Sequence, residues 1–221
     1  MENEINNRDF SKIPKVVIKR LFKYHSALEK LIIDGISNVS SSELSDDVNV
    51  KASQLRKDLA YCGEFGTRGK GYEVSYLHDK LSEILGLQME WNYILAGLGR
   101  LGRALVNYKG LVSRGFKIKA IFDISAEKIG QPYHDIMVYH IDEMQSVIQD
   151  MDIRIGLITV PADAAQSVCD KMVEAKISAI LNFAPVLLKT KDKVFIERVD
   201  ISREMVTLSH YLSHHECQEK D

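Results

Sequence analysis

The chain has 221 residues, of which 45% are hydrophobic and 27% are charged, with only four prolines. This composition is typical of a globular protein with a buried core, and it excludes disordered, collagen-like and low-complexity chains. A formal net charge of −2 excludes a global basic field, although it permits a local basic patch. Three cysteines without close spacing, a polar N-terminus and no apolar run near ~20 residues predict a reduced, cytoplasmic protein without a membrane partner.

The first 86 residues are rich in helix signals and end in a glycine-rich hairpin. A pattern of apolar residues spaced four and three apart predicts a long first helix, and the Ser40–Glu43 segment is a capping box that starts a short second helix. Two short helices with a tight connection, followed by a hairpin, predict a winged helix-turn-helix over residues 1–86. The predicted helices cover 11–30, 41–48, 52–62 and 76–85, and the hairpin covers 66–74.

A local basic patch lies within this region, against the global charge balance. The window 51–70 holds five basic and two acidic residues. On a recognition helix, Ser53, Gln54 and Lys57 share a face that can meet base edges and phosphates. Arg68 and Lys70 lie at the hairpin tip, where they can enter a minor groove. Composition alone fits a solvated helix face and a flexible loop equally well.

From Trp91 onward, short apolar strands alternate with helices. This alternation predicts an α/β domain with a parallel sheet covered by helices, a Rossmann domain over residues 87–200. A last amphipathic helix is predicted within residues 201–221. The predicted strands are 93–96, 118–122, 155–160, 177–182 and 194–199, and the helices between them run from the glycine cluster to about 113 and over 162–175.

A GxGxxG cluster, Gly97 to Gly102, follows the first of these strands and opens a helix. In a dinucleotide site the first glycine makes a tight turn, the second lets the backbone approach a pyrophosphate, and the third packs the helix on the strand. Asp123 ends the next strand and is placed to accept hydrogen bonds from ribose hydroxyls, which disfavours a 2′-phosphate. The pattern predicts NAD(H) as cofactor; the alternative is a merely structural glycine turn.

Histidines and a cysteine near the C-terminus invite a metal interpretation. His210 and His214 are one helical turn apart and Cys217 follows. A polar helix end explains them as well, and no other cluster in the sequence supports a metal site, so we expect none. Cys62, at the end of the predicted recognition helix, is expected to be a small buried filler rather than a thiol sensor.

Several segments, in order and spacing, give the chain a resemblance to the Rex family of redox-sensing transcriptional repressors over nearly its whole length. They are Ser53–Leu59, Gly66–Tyr72, Gly97–Gly102, Phe122–Asp123, Thr159–Pro161, Ala164–Gln166, Ile180–Pro185 and Val199–Asp200. The resemblance implies an N-terminal winged helix for DNA, a Rossmann domain for NAD(H) and a C-terminal helix swapped between two subunits. It also implies a homodimer that binds a palindromic operator and leaves it when NADH rises.

The resemblance also implies site residues by position. The DNA-binding positions are Ser53, Gln54, Arg56, Lys57 and, on the wing, Arg68, to which the hairpin adds Lys70. The cofactor-binding positions are Gly97, Leu98, Gly99, Arg100, Leu101, Gly102, Asp123, Val160, Pro161, Asn182, Phe183, Pro185 and Asp200.

One departure from the family concerns the switch. Many members carry an arginine two residues beyond the tyrosine that aligns with Tyr24, and that arginine can pair with the acidic residue matched by Asp200. Here the position is Ser26. The redox switch is therefore expected to work through a different contact or more weakly.

Two other function classes remain open from the sequence. A small NAD-dependent oxidoreductase needs an acid, base or substrate pocket, and the chain after the winged helix is long enough for the dinucleotide domain alone. The other alternative is a repressor of this type that has a weak NADH response or none.

Overall fold

A computed structural model describes residues 9–67, 70–149 and 151–215. Its contacts divide the chain into two compact units, residues 1–89 and residues 90–221. Within the described residues, every helix is too short or too polar to cross a membrane.

The N-terminal unit is a winged helix, as predicted. Strands β1 and β2 flank β3 in an antiparallel sheet, in which Val39 pairs with Tyr72, and Gly66 also pairs with Tyr72. The two-residue strand β1 was not predicted. The elements are α1 (Lys15–Ile33), β1 (Asn38–Val39), α2 (Ser41–Asp47), α3 (Ala52–Cys62), β2 (Gly66–Thr67), β3 (Gly71–Glu73) and α4 (Val74–Ile84).

Local sequence explains how these elements begin and cross. The Ser40 side chain accepts a hydrogen bond from the Glu43 backbone, and the Glu43 carboxylate accepts one from the Ser40 backbone, so the predicted capping box is present. Gly71 has φ +77°, and a Cβ there would lie 2.4 Å from the Val39 carbonyl oxygen. Only glycine lets β1 and β3 approach this closely.

The C-terminal unit contains one seven-stranded sheet with the order β10-β9-β8-β4-β5-β7-β6. All neighbouring pairs are parallel except β6 with β7, which forms an antiparallel edge. The elements are β4 (Trp91–Ala96), α5 (Arg100–Val106), α6 (Lys109–Val112), β5 (Phe116–Asp123), β6 (Pro132–Tyr133), β7 (Ile136–His140), α7 (Met144–Ile148), β8 (Ile155–Ile158), α8 (Ala162–Glu174), β9 (Ala179–Asn182), β10 (Phe195–Arg198) and α9 (Ile201–His215).

Two hydrophobic clusters use alternate residues of β4, as expected for a strand with helices on both faces. Ile94 and Ala96 belong to one cluster, and Tyr93 and Leu95 belong to the other. Together with the parallel strand order this is the predicted Rossmann architecture.

Two features of this unit differ from the sequence prediction. The single helix expected from the glycine cluster to about residue 113 is two helices, α5 and α6, separated at Asn107 and Tyr108. The segment between β5 and β8, for which no element was predicted, holds β6, β7 and α7. These elements have two to five residues each, which is too short for an apolar period to stand out.

Helix α9 presents its apolar side chains to solvent in the isolated chain. Ile201, Met205, Leu208 and Leu212 follow helical spacing along one face, and each is more than half exposed. A helix with this pattern buries that face only against another surface.

Candidate nucleic-acid interface and dinucleotide site

Helix α3 has one face in the core and one face in solvent. Leu55 and Leu59 are buried, whereas Ser53, Arg56 and Lys57 are exposed. The exposed set includes three of the four helix residues expected to meet DNA. The helix therefore offers two positive charges and a hydroxyl at its surface.

Gln54, the fourth of these residues, is partly engaged elsewhere. Its side-chain amide donates a hydrogen bond to Asp58 Oδ1 at 2.8 Å, one turn along α3. Since the amide nitrogen has a second proton, Gln54 keeps some capacity to donate outward.

Asp58 is fully buried and is held by donors from α1. Arg20 donates from Nε to Oδ2 at 2.5 Å and from Nη2 to Oδ1 at 2.7 Å, and the Tyr24 hydroxyl donates to Oδ2 at 2.7 Å. With Gln54 the carboxylate accepts four hydrogen bonds, as many as it has lone-pair sites. This Asp58 network fixes the recognition helix to the first helix.

The electrostatics of the network favour its charged form. Burial opposes ionisation of Asp58, but the hydrogen bonds from Arg20, Tyr24 and Gln54 outweigh it and hold the pKa of the carboxyl below its usual range. Burial, and then the hydrogen bond to Asp58, raise the pKa of Tyr24. The hydrogen bond to Asp58 also raises the pKa of Arg20. Arg20 and Asp58 are thus ionised and Tyr24 is neutral at physiological pH.

The wing lies beside α3 and forms a groove with it. Ser41, Glu43, Arg56, Lys70 and Tyr72 are among the residues that line it. Arg56 Nη1 donates to Ser41 Oγ at 2.8 Å, which ties α3 to the start of α2. Lys70 is exposed near the wing tip, while Arg68, predicted to lie at the tip, is outside the described residues.

The three glycines of the fingerprint have three different environments. Gly97 has φ +100°, and a Cβ there would lie 2.8 Å from the Thr159 carbonyl oxygen. A Cβ on Gly102 would lie 2.1 Å from the Gly97 carbonyl oxygen, so a larger residue would push α5 off β4. A Cβ on Gly99 would meet no described atom within 4 Å. Gly99 therefore borders open space at the start of α5, which fits the close approach of a phosphate group.

Asp123, at the end of β5, is engaged with the glycine loop. Its Oδ2 accepts from the Leu98 backbone N–H at 2.7 Å and from Lys128 Nζ at 2.9 Å. Its Oδ1 accepts from the backbone N–H groups of Ile124 and Ser125, each at 2.9 Å. Burial opposes its ionisation, but Lys128 and the backbone donors outweigh it and lower the pKa of the carboxyl. The predicted ribose contact thus requires Asp123 to share or exchange a donor, and the flexible Lys128 is the donor most easily moved.

The ends of β8 and β9 complete this edge of the sheet. Thr159 donates from Oγ1 to the Gly97 carbonyl at 2.7 Å, so the end of β8 supports the glycine turn. Val160 is half-buried and Pro161 is exposed at the start of α8. The strand ends of β4, β5, β8 and β9 therefore meet at one edge, where ligands bind in open α/β sheets.

The loop after β9 is organised by Asn182, which is 1% exposed. Its Nδ2 donates to the Val186 carbonyl at 2.9 Å, and its Oδ1 accepts from the Ala184 backbone at 2.9 Å. Asn182 thus shapes the loop, and the loop presents Phe183, which is half-buried, and Pro185, which is exposed.

Asp200 lies directly before α9. It accepts from Arg198 Nη2 at 2.6 Å and from the side chain and backbone of Ser202. The hydrogen bond from Ser202, followed by the charge of Arg198, lowers the pKa of Asp200 despite slight desolvation. In this chain Arg198 is therefore an ion-pair partner of Asp200, whereas Ser26 is a half-buried hydroxyl on α1.

Sequence reasoning missed the residues that hold these sites in place. Arg20, Tyr24 and Asp58 were not predicted, nor were Lys128 and Thr159 as supports of the glycine loop. For Asp58 a signal existed, since an acidic residue stands in the apolar stripe Leu55–Leu59–Cys62 of α3 and needs a partner when buried. Cys62 is fully buried, and burial also raises the pKa of Cys169 to about 11; Cys217 lies outside the described residues.

A winged helix with an exposed basic recognition helix, followed by a Rossmann unit with an open glycine loop, defines a ligand-responsive DNA-binding regulator. Comparison with known proteins identifies the family within this class of regulators. Family models match residues 12–60, described as a putative DNA-binding protein N-terminus, and residues 88–186, described as a CoA binding domain.

The relatives that match nearly all of the chain are redox-sensing transcriptional repressors named Rex. One from Pelotomaculum thermopropionicum is 47% identical over 207 residues, covering 94% of this chain and 97% of that protein. Rex 1 from Thermotoga maritima is 43% identical, covering 90% of this chain and 95% of its own. A crystal structure of the Rex-family repressor RSP with β-NAD⁺ and operator DNA is 39% identical, has a TM-score of 0.87 and covers 94% of this chain and 96% of that one. RSP has also been solved with β-NADH. This chain belongs to the Rex family of redox-sensing transcriptional repressors, which are regulators and not enzymes.

Proposed function

We propose that this chain is a transcriptional repressor that binds operator DNA and responds to the balance of NADH and NAD⁺. The family supports both halves of the proposal, because its solved member RSP carries operator DNA and NAD⁺ in one structure and NADH in another. The observation in this chain that carries the NAD(H) half is the open space beside Gly99 at the edge of the sheet. Because a transcriptional repressor acts on DNA, we also propose that this chain works in the cytoplasm.

Operator binding is assigned to the outer face of α3 and to the wing. Arg56 and Lys70 supply positive charge along the groove, and Lys57 adds a positive charge on the exposed face of α3. Ser53 and Gln54 supply hydrogen-bonding groups. Phosphate contacts give most of the affinity, whereas base-edge contacts in the major groove give the sequence preference. Arg68 belongs to the same proposal through its position in the wing.

NAD(H) binding is assigned to the edge formed by the glycine loop, Asp123 and the loops after β8 and β9. The residues present fit such a group, since Gly97 and Gly102 hold the backbone in a tight turn and Gly99 leaves the approach open. The proposed binding residues are Gly97, Leu98, Gly99, Arg100, Leu101, Gly102, Asp123, Val160, Pro161, Asn182, Phe183, Pro185 and Asp200. A nicotinamide supplies the redox signal when bound, because its two forms differ by one positive charge.

The charge difference is the proposed basis of the switch. A buried cationic ring costs free energy unless it is paired, so an apolar cleft favours the neutral form. A ligand shifts the DNA equilibrium only as far as it prefers one conformation, about 1.4 kcal/mol for each factor of ten. We therefore propose that NADH favours the conformation that releases the operator.

A homodimer is proposed from helix α9. Its exposed apolar face, with Ile201, Met205, Leu208 and Leu212, suits burial against a second copy. In this proposal the chain has three parts: residues 1–86 for DNA, residues 87–200 for NAD(H) and residues 201–221 as the exchanged helix and tail. A two-fold symmetric dimer matches a palindromic operator.

An operator duplex is first selected from a random pool by its binding to the protein. The test then measures binding of the fluorescently labelled duplex at one fixed salt concentration. NADH, NAD⁺ and coenzyme A are titrated separately. We expect NADH to release the duplex, NAD⁺ to be tolerated and coenzyme A to have no effect. Tight DNA binding that ignores NADH would leave a repressor without a redox sensor, and no selective DNA binding would refute the function.

A matched pair of glycine variants tests the site. Gly99→Ala adds a methyl group into open space, so the fold and DNA binding should persist while the NADH response weakens at least tenfold. Gly102→Ala collides with the Gly97 carbonyl and should destabilise the C-terminal unit itself. If Gly99→Ala left the NADH response unchanged, the ligand would not approach the backbone there.

A further inference from the structure

Two histidines and a glutamate meet where α1 packs against α4 in the N-terminal unit. His25 and Glu29 lie one turn apart on α1, and His78 lies on α4. The imidazole rings of His25 and His78 stack with their centroids 4.4 Å apart. One ligand atom from each of the three side chains lies within 4.8 Å of the others. His78 lies 53 residues beyond His25, so no local spacing in the sequence indicates this cluster.

Ser82 fixes which nitrogen of His25 points into the cluster. Ser82 Oγ donates its one proton to the His78 carbonyl oxygen at 3.0 Å and lies 2.8 Å from His25 Nε2. For both contacts to be hydrogen bonds, His25 Nε2 must carry a proton and donate to the serine oxygen. In the neutral ring Nδ1 then holds the lone pair, and Glu29 Oε1 lies 3.8 Å from Nδ1.

The cluster therefore brings three possible metal ligands close together. The imidazole planes are inclined by 28°, so the partly exposed His78 ring must turn for both rings to point a lone pair at one ion. We infer that His25, Glu29 and His78 form a binding site for a divalent transition-metal ion of the zinc class. Two ligand atoms bound to one zinc at about 2.0–2.2 Å in tetrahedral geometry lie roughly 3.3–3.5 Å apart, so the His25–Glu29 pair needs a shift of only a few tenths of an ångström. Imidazole ligands select zinc, nickel, cobalt and copper over magnesium and calcium.

The surroundings match those of a metal site. The hydrogen bond from His25 Nε2 to Ser82 orients the first imidazole, as outer-shell partners of metal-bound histidines do. Asp79 Oδ1 lies 3.1 Å from Nδ1 of His78 and adds negative charge beside the second imidazole. The His25 side chain is 5% exposed, His78 22% and Glu29 39%, so the site is buried at one end and open to solvent at the other.

This placement gives the ion a structural consequence. Three protein ligands leave a fourth coordination position that a water molecule can fill. The ion would join α1 to α4 directly beside Tyr24, the residue that links α1 to the recognition helix through Asp58. Metal binding is therefore expected to stabilise the DNA-binding unit.

The test uses the full chain with the C-terminal candidates removed. The rings of His210 and His214 are tilted by 36° with their centroids 4.3 Å apart, and they form a pair that could compete for metal. The background protein therefore carries His210→Gln, His214→Gln, His215→Gln and Cys217→Ser. Cobalt(II) is titrated and followed by its visible absorption, and zinc is then added as a competitor. Neither DNA nor NAD(H) is present, so the result is independent of the proposed repressor function.

Glu29→Gln and His78→Gln are the test variants, because both residues are partly exposed and both changes keep the side-chain size. His134→Gln, an exposed histidine of the other unit, is the control. We expect one cobalt per chain, displaced by zinc, with the dissociation constant raised at least tenfold in each test variant and unchanged in the control. Circular dichroism checks that every variant is folded. Absence of cobalt absorption in the background protein, or equal binding by the test variants and the control, would overturn the inference.

Discussion

The recognition helix of the N-terminal unit and the glycine loop of the C-terminal unit are each held by one buried carboxylate that accepts four hydrogen bonds. The donors differ. Asp58 is held by three side chains, two of them on another helix. Three of the four donors to Asp123 are backbone N–H groups: two follow it in the chain, and the third is Leu98 of the glycine loop. Asp58 therefore joins two helices through side chains, whereas Asp123 joins the turn after β5 to the glycine loop mainly through backbone groups.

This difference in donors predicts how sensitive each site is to substitution of its carboxylate. A network of side chains loses its geometry when one member is replaced. Backbone N–H donors remain in place and can form hydrogen bonds with water if the loop opens. The DNA-binding surface is thus expected to depend more strongly on its carboxylate than the dinucleotide surface does.

The largest expected effect comes from removing the long-range network. Asp58→Ala leaves the Arg20 charge without its partner and should cost about 3–5 kcal/mol of unfolding free energy in the N-terminal unit. Hydrogen exchange of the α3 and α1 amides in the full chain measures this directly, and operator affinity should fall with it. Asp47→Ala, an exposed carboxylate in the same unit, is the control; equal protection in both variants would show that the network stabilises nothing.

Removing the Asp123 carboxylate should have a smaller effect on the fold. Asp123→Ala leaves buried backbone donors without an acceptor, at a cost of about 1–3 kcal/mol. The single tryptophan, Trp91 at the start of β4, reports unfolding of this unit by fluorescence. NADH affinity should fall at least tenfold because the Leu98 turn loosens, and the exposed Asp135→Ala should change neither quantity. A loss of stability larger than that of Asp58→Ala would reverse the comparison.

Lowering the pH should reduce the stabilisation that the Asp58 and Asp123 carboxylates each provide. The pKa of Asp58 and of Asp123 is lower in the folded chain than its ordinary value of about 3.9, so the folded state binds fewer protons than the unfolded state near that pH. Their stabilisation is complete above roughly pH 5 and is lost as the pH falls through the folded values. Protection of α3 amides between about pH 5 and pH 2 should therefore decline in the parent chain and decline less in Asp58→Asn. The exposed Asp46→Asn should follow the parent curve.

The features that depend on local sequence patterns were predictable from the sequence. The capping box at Ser40, the glycine spacing at Gly97 and the apolar strand segments are each recognised from residues that are close together in the sequence. The partners of Asp58 on α1 are not of this kind, since Arg20 lies 38 residues away and only packing of α1 on α3 brings it close. His25 and His78 are separated in the same way. Strands β6 and β7 escaped prediction because their short runs carry no period.

The smallest expected effect comes from changing Lys57 on the exposed face of α3. This prediction separates DNA contact from stability within the N-terminal unit. Lys57 is exposed on the face opposite Leu55 and Leu59, so Lys57→Ala should leave the stability of the unit unchanged. If Lys57 neutralises one phosphate in each operator half-site, its loss should weaken binding to all sequences alike and reduce the slope of log K against log salt by about 0.9 for each copy. Titrations of one duplex at several salt concentrations measure the slope, with the exposed Lys191→Ala of the other unit as control. An unchanged slope would place Lys57 away from the DNA backbone and shift the phosphate contacts to Arg56 and the wing.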